Sequence, residues 1–268
     1  MVNDKRQPGK HRPAHRTFLR FPLKHRIMHW IFALSFIVLA LTGLPLRFDG
    51  LAFLIPVFGG IVVVHRMHYV AAAGLSAVFL FHLLLDVIPL LRRIYAKVSG
   101  LEISLLLKCK RFWHAIPLLP HGKDLEDVRE LILYYCNVVQ SKPQFDRFNV
   151  HHKFGYLAVF WGMPVMMLSG LAMLKPMWVT RLLPGDFVLL AKLAHSEEAL
   201  LAIGVIFVWH LYEVRFPFVK RMLTGRLSEE EMMRHHPLEY QRILRQRARQ
   251  LRTLPTEPAE GGLEESSQ

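Results

Sequence analysis

Four apolar runs, each long enough to cross a bilayer, constrain this chain more than any other feature of it. Residues 27–46 (IMHWIFALSFIVLALTGLPL), 67–91 (MHYVAAAGLSAVFLFHLLLDVIPLL), 154–174 (FGYLAVFWGMPVMMLSGLAML) and about 187–214 each reach the roughly 20 residues that a tilted transmembrane helix needs. The first follows a basic leader of 26 residues, and no small-residue cleavage site comes after it, so it reads as a retained span and not as a cleaved signal. A fifth stretch, 51–64 (LAFLIPVFGGIVVV), is shorter and is broken by Pro56 and the Gly59-Gly60 pair. It reads as an interfacial or re-entrant piece.

Charge orders these runs. Apolar residues make up 52% of the 268, the formal net charge is +13 and mean hydropathy is +0.25. A nucleic-acid partner would require a basic face on a soluble fold, whereas these charges lie between long apolar runs. With four spans, residues 1–26, 92–153 and 215–268 share one side and hold 29 of the 34 Lys and Arg, which places both termini in the cytoplasm. A fifth span would put the 62-residue basic loop opposite the basic N-terminus. The expected fold is therefore an all-α integral membrane protein, a four-transmembrane-helix bundle. It has a basic cytoplasmic segment 1–26, a membrane domain 27–214 containing the cytoplasmic loop 92–153, and a cytoplasmic tail 215–268. Beyond about Leu254 the tail reads as disordered by composition. Cys109 and Cys136 fall in the cytoplasmic loop, where thiols stay reduced. The sequence has no C-x-x-C-H, which excludes covalently attached c-type haem.

Histidines at the ends of the runs carry the chemical signal. His29 sits at the cytoplasmic start of the first run and His68 at the outer start of the second, while the fourth runs from His195 outside to His210 inside. Fifteen helical residues turn through about 1500° and rise about 22 Å, so His195 and His210 lie about 60° apart in azimuth at two depths. His68 can meet His195, and His29 can meet His210. A flat cofactor held edge-on and ligated on both faces needs such pairs, and haem iron accepts imidazole as an axial ligand. Zinc would want its ligands gathered at one place. Interfacial histidines with wet rings are the alternative that spacing leaves open.

The strings "HRIMHW", "LALTGLPL", "HRMHYVAAAG", "KFGYLAVFWGMPVMMLSGL" and "HSEEALLAIGVIFVWHLYEV" resemble the four helices of the cytochrome b subunits that anchor bacterial formate dehydrogenases, thiosulfate reductases and nickel-iron hydrogenases. "LLPHGKDLEDV", "FDRFNVHHKFGY" and "GRLSEEEMMRHHPLEY" resemble the same family's cytoplasmic loop and tail, so only about 20 residues at each end lie outside the likeness. In the formate dehydrogenase type the haem ligands are the histidine of R-x-x-H-W, the one opening the second helix and two on the fourth. The resemblance assigns these to His29, His68, His195 and His210, as iron ligands of two b haems. One feature departs from the pattern. His82 follows His68 by fourteen residues, about 1400° of helix, and returns to nearly the same face at the cytoplasmic level, so it stands as an alternate to His29. His65 lies about 100° from that face and reads as interfacial.

The resemblance further implies electron transfer in the bacterial inner membrane between the quinone pool, menaquinone or ubiquinone, and a periplasmic-side redox subunit, either an iron-sulfur protein or a multihaem cytochrome c. "RFNVHHK" resembles the segment lining the family's quinone site, which puts Asn149, His152 and Lys153 on its polar positions; capping of the third helix is the other reading of these residues. No nucleophile, acid-base pair or nucleotide loop stands out, so catalysis belongs to a complex and not to this chain. A cofactor-free transporter or receptor would show inverted repeats and broken helices, which the sequence lacks. A self-sufficient metal reductase would need more than Asp49 and Asp186 in its outer loops. Glu198, one turn after His195, is either a ligand's hydrogen-bond partner or solvated. Arg26, Arg47 and Arg66 either pair propionates or anchor span ends. Trp30, Tyr69, Trp178, Trp209 and Tyr212 fit aromatic belts that contact membrane lipid, and Pro164 is a candidate kink.

Overall fold

The computed structural model describes residues 17–140, 148, 150–210 and 222–252, without the side chains of His151, Trp209, His210, Leu251 and Arg252. Helix α1 (Leu23–Arg47) starts directly after Pro22, which is extended at ψ 151°, and closes with Arg47 in its last turn, where a cation complements the helix dipole. A 3-10 turn at Asp49–Leu51 and the short α2 (Leu54–Val57) follow. Gly59 and Gly60 then take φ of +92° and +98°, a region open to glycine, and the chain reverses. The stretch 51–64 is thus not one element, and its last residues form the first turn of α3 (Ile61–His82). A π turn at Leu83–Val87 joins α3 to α4 (Ile88–Ser99), giving one helix of 39 residues.

That helix outruns the expected span 67–91 at both ends. His65, Arg66, Arg92 and Arg93 mark where lipid contact should stop, but a charged residue does not end a helix that continues into water. Beyond it lie α5 (Leu105–Ala115), α6 (Gly122–Tyr135), α7 (Val150–Leu174, containing Pro164) and α8 (Pro176–Leu182). Helix α9 (Asp186–Val205) ends in a second π turn, Ile206–His210.

Among the described residues, three helices are long and apolar enough to cross a membrane: Leu23–Arg47, Ile61–Ser99 and His152–Leu174. Helix α1 packs along α3 and α7 along α9, and narrower contacts join α3 to α7 and α1 to α9. Leu75 and Phe79 of α3 meet Met163 of α7 in a buried cluster walled by Phe32, Phe36, Leu39, Leu83 and Met167. Large apolar side chains also face outward, Val70 and Trp161 each 73% exposed, which suits helices whose outer surface meets lipid.

A second, smaller core was not foreseen. Strand β1 (Thr17–Leu19) pairs antiparallel with β2 (Arg226–Ser228), with Phe18 opposite Leu227. Helices α10 (Glu229–His235) and α11 (Pro237–Arg252) follow β2. Ser228 and Glu231 form a reciprocal capping box at the start of α10, satisfying two otherwise orphan donors. Phe18, Leu227 and Met232 are buried together against Tyr240 and Ile243. Arg20 and Phe21 both donate backbone N–H groups to the Gly225 carbonyl, at 2.8 and 3.1 Å, and Arg20 pairs with Glu239 at 3.0 Å. Much of the expected tail is therefore a folded clasp holding the entry to α1. The end after about Leu254, expected to be disordered, lies outside the described residues.

Candidate functional site

Two histidines on different helices face each other across the bundle. His68 lies on α3 and His195 on α9, with ring centroids 6.4 Å apart and planes at 57°. Each is held by a hydroxyl from a third or fourth helix. Thr42 of α1 is fully buried; its Oγ1 donates to the Val38 carbonyl at 2.7 Å and lies 2.9 Å from His68 Nδ1. A hydroxyl has one proton. With that proton on Val38, Oγ1 accepts from His68, so Nδ1 carries the hydrogen and Nε2 the lone pair. Ser169 of α7 repeats the arrangement, donating to Val165 at 2.6 Å and lying 3.0 Å from His195 Nδ1.

Both hydroxyl–histidine pairs are separated by 26 residues, and each hydroxyl is followed by a glycine. A Cβ on Gly43 would lie 3.4 Å from His68 Cε1, in ordinary contact, whereas one on Gly170 would lie 3.2 Å from His195 Cε1, tight enough that the ring would have to shift. Thr42, Gly43, Ser169 and Gly170 were not singled out from the sequence. The repeated Thr/Ser-Gly doublet at a fixed distance before a histidine was the signal available.

This pair fits a shared metal. Imidazole–metal bonds of about 2 Å, with each ring centre about 1 Å behind its nitrogen, separate two ring centres by roughly 6 Å, close to what is seen. Both rings already carry the tautomer that presents Nε2, and fixing of Nδ1–H is the usual second contact of a ligating histidine.

A second level lies about 21 Å along α3, fourteen residues on. There His82 Nδ1 meets Asp86 Oδ2 at 3.0 Å and Nε2 meets the Tyr156 hydroxyl at 3.2 Å, so both ring nitrogens have partners. Asp86 also pairs with Lys24 and with His25, the latter at 3.3 Å. The π turn following His82 places these groups together, as such turns often do at functional sites. His29, on α1, has a buried Nδ1. The backbone of His210 closes the π turn of α9. Because such a turn absorbs one extra residue, His210 stands near the azimuth of the fourteenth residue after His195 and not at the 60° of an unbroken helix. Its side chain lies outside the described residues.

Of the expected quinone residues, Asn149 lies outside the described residues. The His152 ring centroid is 6.2 Å from that of His236. Lys153 pairs with Asp124 at 2.8 Å, both side chains nearly buried, which ties α6 to the start of α7. Arg26 Nε donates to the Met222 carbonyl at 2.9 Å, inside the clasp. Arg47 reaches Glu197 at 3.4 Å, while Arg66 is exposed. Glu198 rests against Gly162, whose Cβ position is 2.6 Å from Oε1, and does not bridge to His195. His65 Nδ1 is bound to the Ile61 carbonyl of its own helix at 2.9 Å. Cys109 and Cys136 are exposed free thiols.

Long apolar helices bringing two imidazoles face to face, each with its Nδ1 beside a hydroxyl, are an arrangement able to hold a metal between two histidines. The chain matches the family model described as prokaryotic cytochrome b561 over residues 20–225, and it belongs to that family. It is a membrane electron-transfer protein of the b-type haem class. A comparison with curated proteins finds no match. The family match runs from the clasp residue Arg20, through the long helices, to Gly225.

Proposed function

We propose that the chain spans the bacterial inner membrane four times with both termini in the cytoplasm, and that it carries electrons between a quinone and a redox subunit on the periplasmic side through two b haems. The observation that carries the reading is the His68–His195 pair, 6.4 Å apart with both Nδ1–H groups fixed by hydroxyls. In this reading His68 and His195 hold the outer haem. His29 and His210 hold the inner one, a choice supported by the engagement of both His82 nitrogens with Asp86 and Tyr156. Bound haem iron supplies a reversible one-electron site. The protein's part is to fix the rings, exclude water and leave an apolar plug, Leu75, Phe79 and Met163, between the two levels.

Helix α9 serves as the fourth span in this account. Its two adjacent acids, Glu197 and Glu198, lie toward the end where Arg47 and the short loops gather. Quinone docks beside the inner haem at the start of α7. Full reduction of a quinone to quinol takes up two protons and two electrons, and the His152 imidazole there is a group that can pass a proton. The pair Lys153–Asp124 fixes that corner. The partner is an iron-sulfur protein or a multihaem cytochrome c at the outer face.

The test is haem reduction by a quinol in membranes containing the full chain. Wild-type haem should be reduced by added menaquinol or ubiquinol. His152→Ala should slow that reduction while dithionite still reduces both haems. Equal rates and equal inhibitor sensitivity in the variant, at normal haem content, would remove His152 from the site. A wild-type protein that no quinol reduces would remove the quinone.

A further inference from the structure

We infer that Thr42 and Ser169 are positioning residues that set the electronic character of the outer haem, by supplying matched neutral hydrogen-bond acceptors to its two axial imidazoles. The inference rests on the reading that His68 and His195 hold that haem. It adds a pair of residues that touch no iron and act through the ligands.

The acceptor behind a ligating histidine governs how strongly the ring donates to the metal. A carboxylate draws the Nδ1 proton toward itself, makes the ring more imidazolate-like and favours the oxidised metal. A hydroxyl is neutral and a weaker acceptor. Here each hydroxyl's own proton is committed to a helix carbonyl, Val38 or Val165, so the oxygen can act only as an acceptor. The chain contains both kinds of acceptor, since His82 Nδ1 faces the Asp86 carboxylate. At His68 and His195 it uses hydroxyls on both sides.

Position matters as much as chemistry. The two oxygens are pinned by bonds four residues back along α1 and α7, so ring orientation follows helix packing and not side-chain rotation. Gly43 and Gly170 admit the Cε1 edge of each ring. Thr42 is fully buried and Ser169 is 7% exposed, so water does not readily replace a lost hydroxyl. A buried N–H left without its acceptor is costly at His68, whereas His195 keeps the Met166 carbonyl as an acceptor. Both halves of the chain supply the same hydroxyl–histidine unit at the same 26-residue separation, and His195 has the Met166 backbone as a further hydrogen-bond partner.

The test compares Thr42→Val and Ser169→Ala, which delete the hydroxyl, with Thr42→Ser and Ser169→Thr, which keep it, all in the purified full-length holoprotein. Spectroelectrochemical titration and electron paramagnetic resonance of the ferric protein provide the readouts. Deleting either hydroxyl should raise the midpoint of one haem, increasing its reduced-to-oxidised ratio at fixed potential by severalfold and up to about tenfold, the latter equivalent to about 59 mV for one electron. The low-spin signal of the same haem should change its g anisotropy while the other haem keeps both properties. The hydroxyl-retaining variants should match wild type. Unchanged potentials and spectra in both deletions, at normal haem content, would overturn the inference. If Thr42→Val loses the haem, retention in Thr42→Ser shows that the hydroxyl is what matters, whereas loss in both shows a packing requirement and overturns the inference. Failure of the underlying reading is distinguishable: His68→Ala would then keep full haem content and both haem signals.

Discussion

In the proposed arrangement, replacing Gly170 by alanine should loosen the haem held by His68 and His195 without loosening the helix. The new Cβ would lie 3.2 Å from His195 Cε1, tighter than ordinary van der Waals contact, and 3.6 Å from its Nδ1, so the ring must yield by a few tenths of an ångström. The same ring is held at 3.0 Å by Ser169, and a displacement of that size strains the bond or the metal linkage. Overpacking of this kind costs about 1–3 kcal/mol, and at the lower half of that range the haem would be held about tenfold less tightly. Alanine in a helix interior is meanwhile favoured over glycine by about 1 kcal/mol, so the haem-free protein should be no less stable. Gly43→Ala is the internal control, because its Cβ would lie 3.4 Å and 3.9 Å from the corresponding His68 atoms, within ordinary contact. The assay is the rate at which purified protein loses haem to excess apomyoglobin. Gly170→Ala should lose one haem faster than wild type, with Gly43→Ala close to wild type. Wild-type kinetics in Gly170→Ala, or faster loss in Gly43→Ala, would refute the steric argument.

Gly225→Ala should open the clasp. A Cβ there would stand 2.5 Å from the Phe21 carbonyl oxygen at a φ of +72°, and strain plus the loss of two backbone bonds amounts to about 2–4 kcal/mol. Hydrogen exchange at residues 17–21 and 226–228 should accelerate with the haem spectrum unchanged, and undiminished protection would contradict this. At the inner level, His29→Ala should abolish one low-spin haem signal and His82→Ala should leave both. Loss of that signal only in His82→Ala would make His82 the ligand.

The parts legible in the sequence are those in which one residue type, placed at one helical depth, carries the information. His68 and His195 sit at the ends of apolar runs at a shared depth, and their rings lie 6.4 Å apart. The Pro56 and Gly59-Gly60 break was readable because glycine marks the positive-φ turn the chain makes there. The clasp was not readable, since TFL and RLS are three-residue strands some 209 positions apart, too short to show a period and stabilised by a core that neither builds alone. Thr42 and Ser169 escaped notice for another reason. A hydroxyl inside an apolar run looks like a small packing residue until the ring beside it is located. The π turns shift azimuth by a residue, and no composition rule announces them. Lys153 reads as a polar contact for a ligand, yet Asp124, 29 residues earlier, already holds it.

The most direct test of the central claim is haem quantification on the purified chain, by pyridine haemochrome against amino-acid analysis, for wild type and for His195→Ala with Ser169→Ala as a folding control. The account predicts about two b haems per chain in wild type, two in Ser169→Ala and one in His195→Ala, with the lost haem missing from the reduced-minus-oxidised spectrum. Two b haems retained in His195→Ala, or none in the wild-type protein, would contradict it.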